Sequence, residues 1–183
     1  MLHDDVDAAA GIREIKSRLG EALVILTHHY QRREVVALGD YAGDSFELSR
    51  KAAEDTAARY IVFCGVHFMA ESAEILARPH QTVQIPDTEA GCWMADMADS
   101  FLVQRAWDAI AGMVGAETVL PVVYMNSDAQ LKAFCGRRGG TVCTSSNAEA
   151  AFRWGLAQAD KVFFFPDQHL GRGCLTAPLA LAV

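Results

Sequence analysis

Short apolar runs alternate with helix-like segments along most of the chain. The first run covers residues 23–27, and similar runs rich in β-branched or aromatic residues recur at 60–64, 82–85, 119–124 and 161–165. Apolar runs of this length predict strands that are buried on both faces. Because the segments between them repeat apolar residues at helical spacing, the pattern predicts an α/β fold in which helices cover both faces of parallel sheets.

Polar residues mark where the predicted helices begin and end. Asp44 and Glu47 have the spacing of a capping box, and Ser146 and Glu149 repeat that spacing in the second half of the chain. Gly20 is a stop signal after the amphipathic opening segment. Helices are accordingly predicted over residues 6–19, 44–59, 68–76 and 94–114, and the loop 144–146 is predicted to open another.

The order of elements in the first half of the chain recurs in the second half. Aligning Phe63 with Phe164 superimposes the strand and helix patterns, which indicates a period near 100 residues. We interpret this period as a duplicated α/β domain, with a first domain at residues 1–92 and an incomplete second domain at 93–183. The alternative is that any two strand–helix–strand stretches look alike.

Composition and charge exclude several functional classes. The chain is 51% hydrophobic and 21% charged, which is too apolar for a disordered protein. Its 16 basic and 23 acidic residues give a net charge of -7 without any basic run, so nucleic acid is not an expected partner. No apolar stretch reaches the roughly 20 residues of a membrane span, and the opening segment is not a signal peptide. We therefore expect a cytoplasmic protein that binds neither nucleic acid nor membrane.

The five cysteines are widely spaced and contain no CxxC pair, which argues against a disulfide framework and a zinc ribbon. Cys64, Cys135 and Cys143 lie in or beside apolar segments and are expected in the core. Cys92 instead lies between a finished strand and a predicted helix. A helix N-terminus favours the thiolate that metals and iron–sulfur clusters require, so Cys92 is the candidate metal ligand.

Several polar residues follow the predicted strands, where ligands bind in parallel α/β folds. Ser45 and Ser145 are predicted in first turns of helices, where free N–H groups favour a carboxylate or phosphate, so a small polyanionic substrate is favoured. The alternatives are structural, since a serine at a helix start is usually a cap and a histidine after a strand is usually hydrogen-bonded in place. His3, His29 and His80 are assigned only that structural role. The candidate positions are His28, Tyr30, Ser45, His67, Tyr124, Asn126, Ser145 and His169.

Seven short strings resemble the motifs of quinolinate synthases, in the same order. They are ILTHHYQ at 25–31, GDS at 43–45, GVHFMAE at 65–71, AGC at 90–92, VYMNS at 123–127, CTSSNA at 143–148 and PDQHLGR at 166–172. GVHFMAE and PDQHLGR are rare enough that chance is a poor explanation of the match.

The resemblance implies a fold, a reaction and a cofactor. The family has three similar α/β domains around a central pocket, which agrees with the internal repeat. Its members condense iminoaspartate with dihydroxyacetone phosphate to quinolinate in NAD biosynthesis. They hold a 4Fe-4S cluster by one cysteine from each domain, and the remaining iron acts as a Lewis acid.

The resemblance also implies roles for seven residues of this chain. Cys92 matches the first cluster ligand, and Tyr30 resembles a mobile tyrosine that closes over the site and takes part in proton transfer. The positions that match substrate contacts are His28 and Ser45, for a carboxylate, and Tyr124, Asn126 and Ser145 from the second domain. His67 and His169 lie within motif strings but receive no catalytic role.

The chain departs from the family pattern after Arg172. Adding the period of about 100 residues to Cys92 places the second cluster ligand near residue 190, beyond Val183. Cys174 does not substitute for it, because its position relative to His169 does not match that of Cys92 in the first domain. We therefore expect a truncated chain that lacks the third domain and two of three cluster ligands, and that is inactive alone.

Two alternatives stay open. One is a cluster-free remnant that binds a small dicarboxylate, or a protein partner through the apolar segment 175–183. The other is a different metal-assisted lyase or hydrolase on the same scaffold, since a fold does not fix a function. No oligomeric state follows from the sequence.

Overall fold

Two parallel sheets organise the chain. The structure is a computed structural model that describes residues 2–174, with side chains described from residue 8 onward. The chain divides into two units, Met1–Ala90 and Gly91–Val183, each with its own sheet. Cys92, which the sequence pattern assigns to the end of the first domain, lies in the second unit.

The first unit contains a four-stranded sheet. Its strands are β1 (Leu23–His28), β2 (Tyr41–Gly43), β3 (Tyr60–Cys64) and β4 (Thr82–Gln84), and its helices are α1 (Leu2–Leu19), α2 (Arg33–Val36), α3 (Ser45–Glu54) and α4 (His67–Leu76). The order is β2-β1-β3-β4, and every neighbouring pair is parallel. β1 is buried from Val24 to His28, as its continuous apolar run predicts. α3 and α4 pack together on the sheet, while Ile12 of α1 faces the same cavity as Ile25 and Val62.

The second unit contains a three-stranded parallel sheet with the order β6-β5-β7. Its elements are α5 (Ser100–Val114), β5 (Val119–Tyr124), α6 (Ala129–Gly136), β6 (Thr141–Cys143), α7 (Ala148–Leu156), β7 (Lys161–Phe165) and α8 (Gln168–Cys174). Phe163 and Phe165 of β7 pack with Trp107 of α5 and Phe134 of α6. Phe164 faces the opposite side and packs beneath α7 and α8. Helices therefore cover both faces of this sheet, as predicted.

The two units repeat one topology. β2, β1 and β3 have the same order and direction as β6, β5 and β7. The register repeats as well, because Leu26 pairs with Phe63 in the first sheet and Val122 pairs with Phe164 in the second. The repeated α/β architecture predicted from the alignment of Phe63 with Phe164 is therefore confirmed.

Two predicted helix boundaries differ from the structure because side chains cap the backbone elsewhere. α3 ends at Glu54 rather than residue 59, since the Asp55 side chain accepts from the backbone N–H of Ala58 (2.9 Å) and turns the chain. α5 begins at Ser100 rather than residue 94, since the Asp99 side chain accepts from the backbone N–H of Leu102 (2.9 Å).

Buried cysteines form part of the second unit's core. Cys135 and Cys143 are each 1% exposed, as expected for small hydrophobes. Cys64 is half-buried at the end of β3. Among residues 2–174, no helix has the length and apolar character to cross a membrane.

Candidate functional site

The repeated topology brings the candidate residues to equivalent places in the two units. His28 and Tyr124 are the last residues of β1 and β5. Ser45 and Ser145 each follow the neighbouring edge strand by two residues. The equivalent pairs are His28 and Tyr124, Tyr30 and Asn126, and Ser45 and Ser145. Each unit therefore carries its own polar cluster at the carboxyl end of its sheet, the usual place for a ligand.

The first cluster is built around three consecutive rings. His28 is 5% exposed, whereas Tyr30 is 85% exposed. The Tyr30 backbone N–H donates to Nδ1 of His28 (3.3 Å). Because Nδ1 accepts, the neutral His28 ring carries its proton on Nε2, which is then the donor available to a ligand.

The environment of His28 keeps its imidazole neutral near pH 7. Burial lowers the pKa of His28 below the ordinary 6.5, and the neighbouring His29 lowers it further. The carboxylate of Asp44 raises this pKa, but it is the smallest of the three effects. His28 is therefore a neutral hydrogen-bond donor rather than a cation.

Ser45 is the first residue of α3, but it does not cap that helix. Asp44 is the cap, since its Oδ1 accepts from the backbone N–H groups of Phe46 (2.9 Å) and Glu47 (2.8 Å). The structural alternative for Ser45, that it serves as the helix cap, is wrong. The placement of Ser45 in the first turn of the helix agrees with the sequence pattern.

The second cluster joins a phenol, a hydroxyl, an amide and a thiol. The side chain of Ser145 is hydrogen-bonded to the phenol of Tyr124, and Asn126 Nδ2 donates to Cys92 Sγ (3.8 Å). Burial raises the pKa of Tyr124, the Ser145 hydrogen bond lowers it, and nearby Asp167 raises it again. Tyr124 is therefore a neutral phenol that can donate a hydrogen bond.

Ser145 does not lie in the first turn of a helix, contrary to its sequence prediction. α7 begins at Ala148, and Thr144 to Asn147 form a turn before it. In this turn the Asn147 side chain accepts from the backbone N–H of Thr144 (2.7 Å). The predicted cap by Ser146 is also wrong, because its hydroxyl is bonded to Thr144 Oγ1 (2.9 Å) instead.

Cys92 lies in a turn rather than at the start of α5. Its carbonyl oxygen accepts from the backbone N–H of Asp96 (3.1 Å), and only the short 3-10 helix Ala95–Met97 follows before α5 begins at Ser100. The prediction that a long helix starts beside the Cys92 thiol is therefore wrong. Its sulfur is half-buried and accepts from the Asn126 amide, outside both hydrophobic cores of the second unit.

The donor set limits which metal group this chain can hold. Among the side chains that the structure describes, residues 8–174, no group of three or more His, Cys, Asp or Glu is arranged to bind a metal ion. Cys92 presents a single thiol, and Cys174 packs against the core that contains Cys143. A 4Fe-4S cluster requires more thiolates than this, so these residues alone do not fit one.

A cavity of about 510 Å³ opens beneath α1 in the first unit, and its lining differs from that of the polar cluster. Its walls are mainly apolar, with Ile15, Ile25 and Val62 among them, and none of the seven candidate residues lines it. Cys64 lies on its wall, and burial raises the pKa of this thiol. Apart from the Cys64 thiol, its polar side chains are Gln31 and the acidic Asp87, so the described lining offers no basic group to a small dicarboxylate.

Other polar residues of the motif strings have local partners. His67 Nε2 lies 3.5 Å from Glu71 Oε1 on α4, and the backbone N–H of His169 donates to Asp167 (2.8 Å). Two residues beside the clusters were not candidates: Asp167, which acts on Tyr124, and His29, which stacks on His28. Asp167 follows β7 directly, so its place after a strand is the signal that identifies it.

Comparison with known proteins identifies the family. A family model described as quinolinate synthetase A protein matches residues 10–177. The chain belongs to this family. It is 58% identical over 162 residues to a quinolinate synthase of Acidobacterium capsulatum, covering 88% of this chain and 43% of the relative. It is 52% identical over 179 residues to a quinolinate synthase of Streptomyces coelicolor, covering 98% of this chain and 45% of that relative. The chain thus spans less than half the length of these quinolinate synthases.

Proposed function

We propose that this chain forms the substrate-binding part of a quinolinate synthase, which condenses iminoaspartate with dihydroxyacetone phosphate to quinolinate. The observation that carries the proposal is the convergence of Cys92, Tyr124, Asn126 and Ser145 within one unit. A thiol, a phenol, an amide and a hydroxyl meet there at the carboxyl end of the sheet. Family membership independently supports the assignment.

In the first unit, we assign a substrate carboxylate to His28 and Ser45. His28 is neutral and has its Nε2 N–H as a donor, because Nδ1 already accepts from Tyr30. The Ser45 hydroxyl is a second donor, since Asp44 rather than Ser45 caps α3. Hydrogen bonds from these two neutral donors to a charged carboxylate are stronger than hydrogen bonds between neutral groups.

Tyr30 is the proposed proton donor and acceptor. Its ring is 85% exposed, so it can move without disrupting a core. A phenol on a short turn, two residues after His28, is suited to close over a carboxylate held by that histidine.

In the second unit, we assign further substrate contacts to Tyr124, Asn126 and Ser145. The Ser145 side chain interacts with the phenol of Tyr124, and the amide of Asn126 supplies a donor beside Cys92. These neutral donors suit the carboxylate and phosphate oxygens of iminoaspartate and dihydroxyacetone phosphate.

Cys92 is the proposed contribution of this chain to a 4Fe-4S cluster. Such a cluster, when bound, supplies a Lewis-acidic iron that polarises a substrate oxygen. Because the described side chains of residues 8–174 include no group of three that could hold a metal, we propose that the 183-residue chain alone has no synthase activity.

The proposed substrate-binding side chains also favour a second candidate function. A chain that holds no cluster but keeps His28, Ser45 and the Tyr124–Ser145 pair retains the groups that bind a small dicarboxylate. A protein partner bound through the apolar segment 175–183 involves residues outside the described part of the chain.

Anaerobic iron–sulfur reconstitution tests these proposals. The 183-residue chain is compared with a fusion that joins its residues 1–172 to the C-terminal part of the Streptomyces coelicolor relative. We expect a brown fusion protein that forms quinolinate, and a chain that forms none. A fusion that is folded and loaded with iron but makes no quinolinate overturns the synthase assignment. More than about three iron atoms per 183-residue chain overturns the cluster-free alternative.

We also propose a cytoplasmic location. All five cysteines are free in the structure, and unpaired thiols are typical of proteins in a reducing compartment.

A further inference from the structure

Three consecutive aromatic rings contact one another at the carboxyl end of β1: His28 and His29 are stacked, and the Tyr30 ring is tilted against both. The ring centroids of His28 and His29 lie 4.4 Å apart, those of His29 and Tyr30 4.4 Å, and those of His28 and Tyr30 4.9 Å. His28 is buried and Tyr30 is almost fully exposed. The Tyr30 ring is therefore supported by both histidine rings, and His29 gives the closer of the two contacts.

His29 is itself held by a double hydrogen bond to β2. Its backbone N–H donates to the carbonyl oxygen of Gly43 (3.2 Å), and its ring Nδ1 lies 3.0 Å from the same oxygen. Because a carbonyl oxygen only accepts, Nδ1 carries the hydrogen in this arrangement. The plane of the His29 ring is thus fixed by the sheet rather than by the exposed Tyr30.

The second unit shows that the fold itself does not require a histidine here. Met125 is the equivalent residue, and its backbone N–H donates to the carbonyl oxygen of Cys143 (2.7 Å), as the backbone N–H of His29 does to Gly43. Met125 is 4% exposed, so its side chain belongs to the interior. The His29 ring, in contrast, is exposed. It adds a hydrogen bond from Nδ1 to Gly43 and contacts with the rings of His28 and Tyr30, although the backbone N–H of His29 already bonds to Gly43.

We propose that His29 is a positioning residue that holds the Tyr30 ring beside His28. The buried His28 ring, the anchored His29 ring and the backbone bond from Tyr30 to His28 together define one resting place for the phenol. The catalytic consequence rests on the proposed function, since only then does the position of the phenol set proton transfer. That His29 holds the Tyr30 ring in place follows from the ring contacts and hydrogen bonds alone.

The test uses NMR spectra of the ligand-free 183-residue chain, with the Tyr30 ring signals assigned from the Tyr30→Phe variant. In the wild-type chain, the neighbouring rings shift the Tyr30 ring signals upfield of an unstacked tyrosine. His29→Met copies the equivalent residue of the second unit, and we expect the upfield shift to be lost while the circular dichroism stays unchanged. His29→Asn is a second variant without a large ring and should show the same loss.

Two further variants separate stacking from folding. His29→Phe keeps a ring and is expected to retain most of the upfield shift, although it loses the bond from Nδ1 to Gly43. His80→Asn changes an exposed histidine elsewhere in the unit and should leave the signals in place. The proposal is overturned if a folded His29→Met or His29→Asn chain keeps the wild-type chemical shifts of the Tyr30 ring. It is also overturned if the His29→Phe chain loses the upfield shift as completely as those two variants do. Failure of the fusion enzyme to make quinolinate leaves this result unaffected.

Discussion

At the scale of single residues, burial decides the protonation state of the side chains near the candidate site. His28 lies at the end of a buried strand, and its neutral ring is the form that burial favours. Its pKa in the folded chain lies below the ordinary 6.5 that it has when unfolded. Between these two values the unfolded chain binds a proton that the folded chain does not, so stability rises with pH through this interval.

We predict a stability change on acidification that depends on His28. As pH falls through 6.5 and then through the lower folded pKa of His28, the free energy of unfolding should decrease. His28→Gln removes the titrating group, so its unfolding free energy should fall less over the same range. Urea denaturation at a series of pH values measures both, with His80→Gln as the control. Equal pH dependence in the wild-type and His28→Gln chains contradicts the prediction.

The cysteines should differ in reactivity according to their burial. Burial raises the pKa of both Cys135 and Cys143 to about 12, and both side chains are 1% exposed. We expect iodoacetamide at mildly alkaline pH to spare these two in the native chain and to modify the half-buried Cys92, because the thiolate is the reactive form. Peptide mass spectrometry before and after unfolding measures the difference. If iodoacetamide modifies Cys135 in the native chain as fast as it modifies Cys92, the prediction is wrong.

At the scale of secondary-structure elements, the cap of α3 sets where the first cluster begins. Asp44→Ala removes two hydrogen bonds to the helix N-terminus and should lower the free energy of unfolding by about 1 kcal/mol. Glu54→Gln alters only two exposed ion pairs at the other end of the helix, with Arg50 and Lys51, so its effect should stay within about 0.5 kcal/mol. Urea denaturation compares the two variants. Equal stability of both variants shows that Asp44 is not a cap.

The entry into β6 depends on a glycine that touches the neighbouring strand. A Cβ at Gly140 would clash with the backbone carbonyl oxygen of Pro121 on β5, whereas a Cβ at Gly136 would meet nothing within 4 Å. Gly140→Ala should therefore destabilise the chain by about 1–3 kcal/mol. Gly136→Ala lies within α6 and should stabilise it by up to about 1 kcal/mol. Thermal unfolding distinguishes them, and a Gly140→Ala chain with the wild-type melting temperature contradicts the packing described here.

Most of the long elements and the short strand β4 could be predicted from the sequence, but the other two short strands could not. β3, β5 and β7 have the predicted bounds because each is a continuous apolar run. β2 and β6 have three residues each, too few for a pattern to be visible, and they form by pairing with β1 and β5. Their existence depends on tertiary contacts rather than on local sequence.

The same distinction applies to the candidate site. The position of polar residues after strands was enough to select His28, Tyr124 and Ser145. The surroundings of Ser145 were not predictable, because the turn before α7 is stabilised by a side-chain bond between Asn147 and the backbone of Thr144. The contact between Asn126 and Cys92 was not predictable either, because 34 residues separate them and only the fold brings them together.

At the scale of the whole molecule, one α/β pattern is used twice and carries different chemistry each time. The register places His28 of the first unit where Tyr124 stands in the second, and Ser45 where Ser145 stands. The same arrangement of strands therefore carries different side chains at the carboxyl end of each sheet. The substrate role of these equivalent serines is the main functional expectation for this member of the quinolinate synthase family.

The most direct measurement is the rate of quinolinate formation by the reconstituted fusion enzyme with either serine replaced. Loss of one hydrogen bond to a charged oxygen costs about 1.5–3 kcal/mol, so Ser45→Ala and Ser145→Ala should each lower kcat/KM roughly tenfold or more. Ser100→Ala, at an exposed helix start that Asp99 caps, should leave the rate unchanged. Rates for Ser45→Ala and Ser145→Ala equal to that of Ser100→Ala, at equal iron content, contradict the proposed substrate sites.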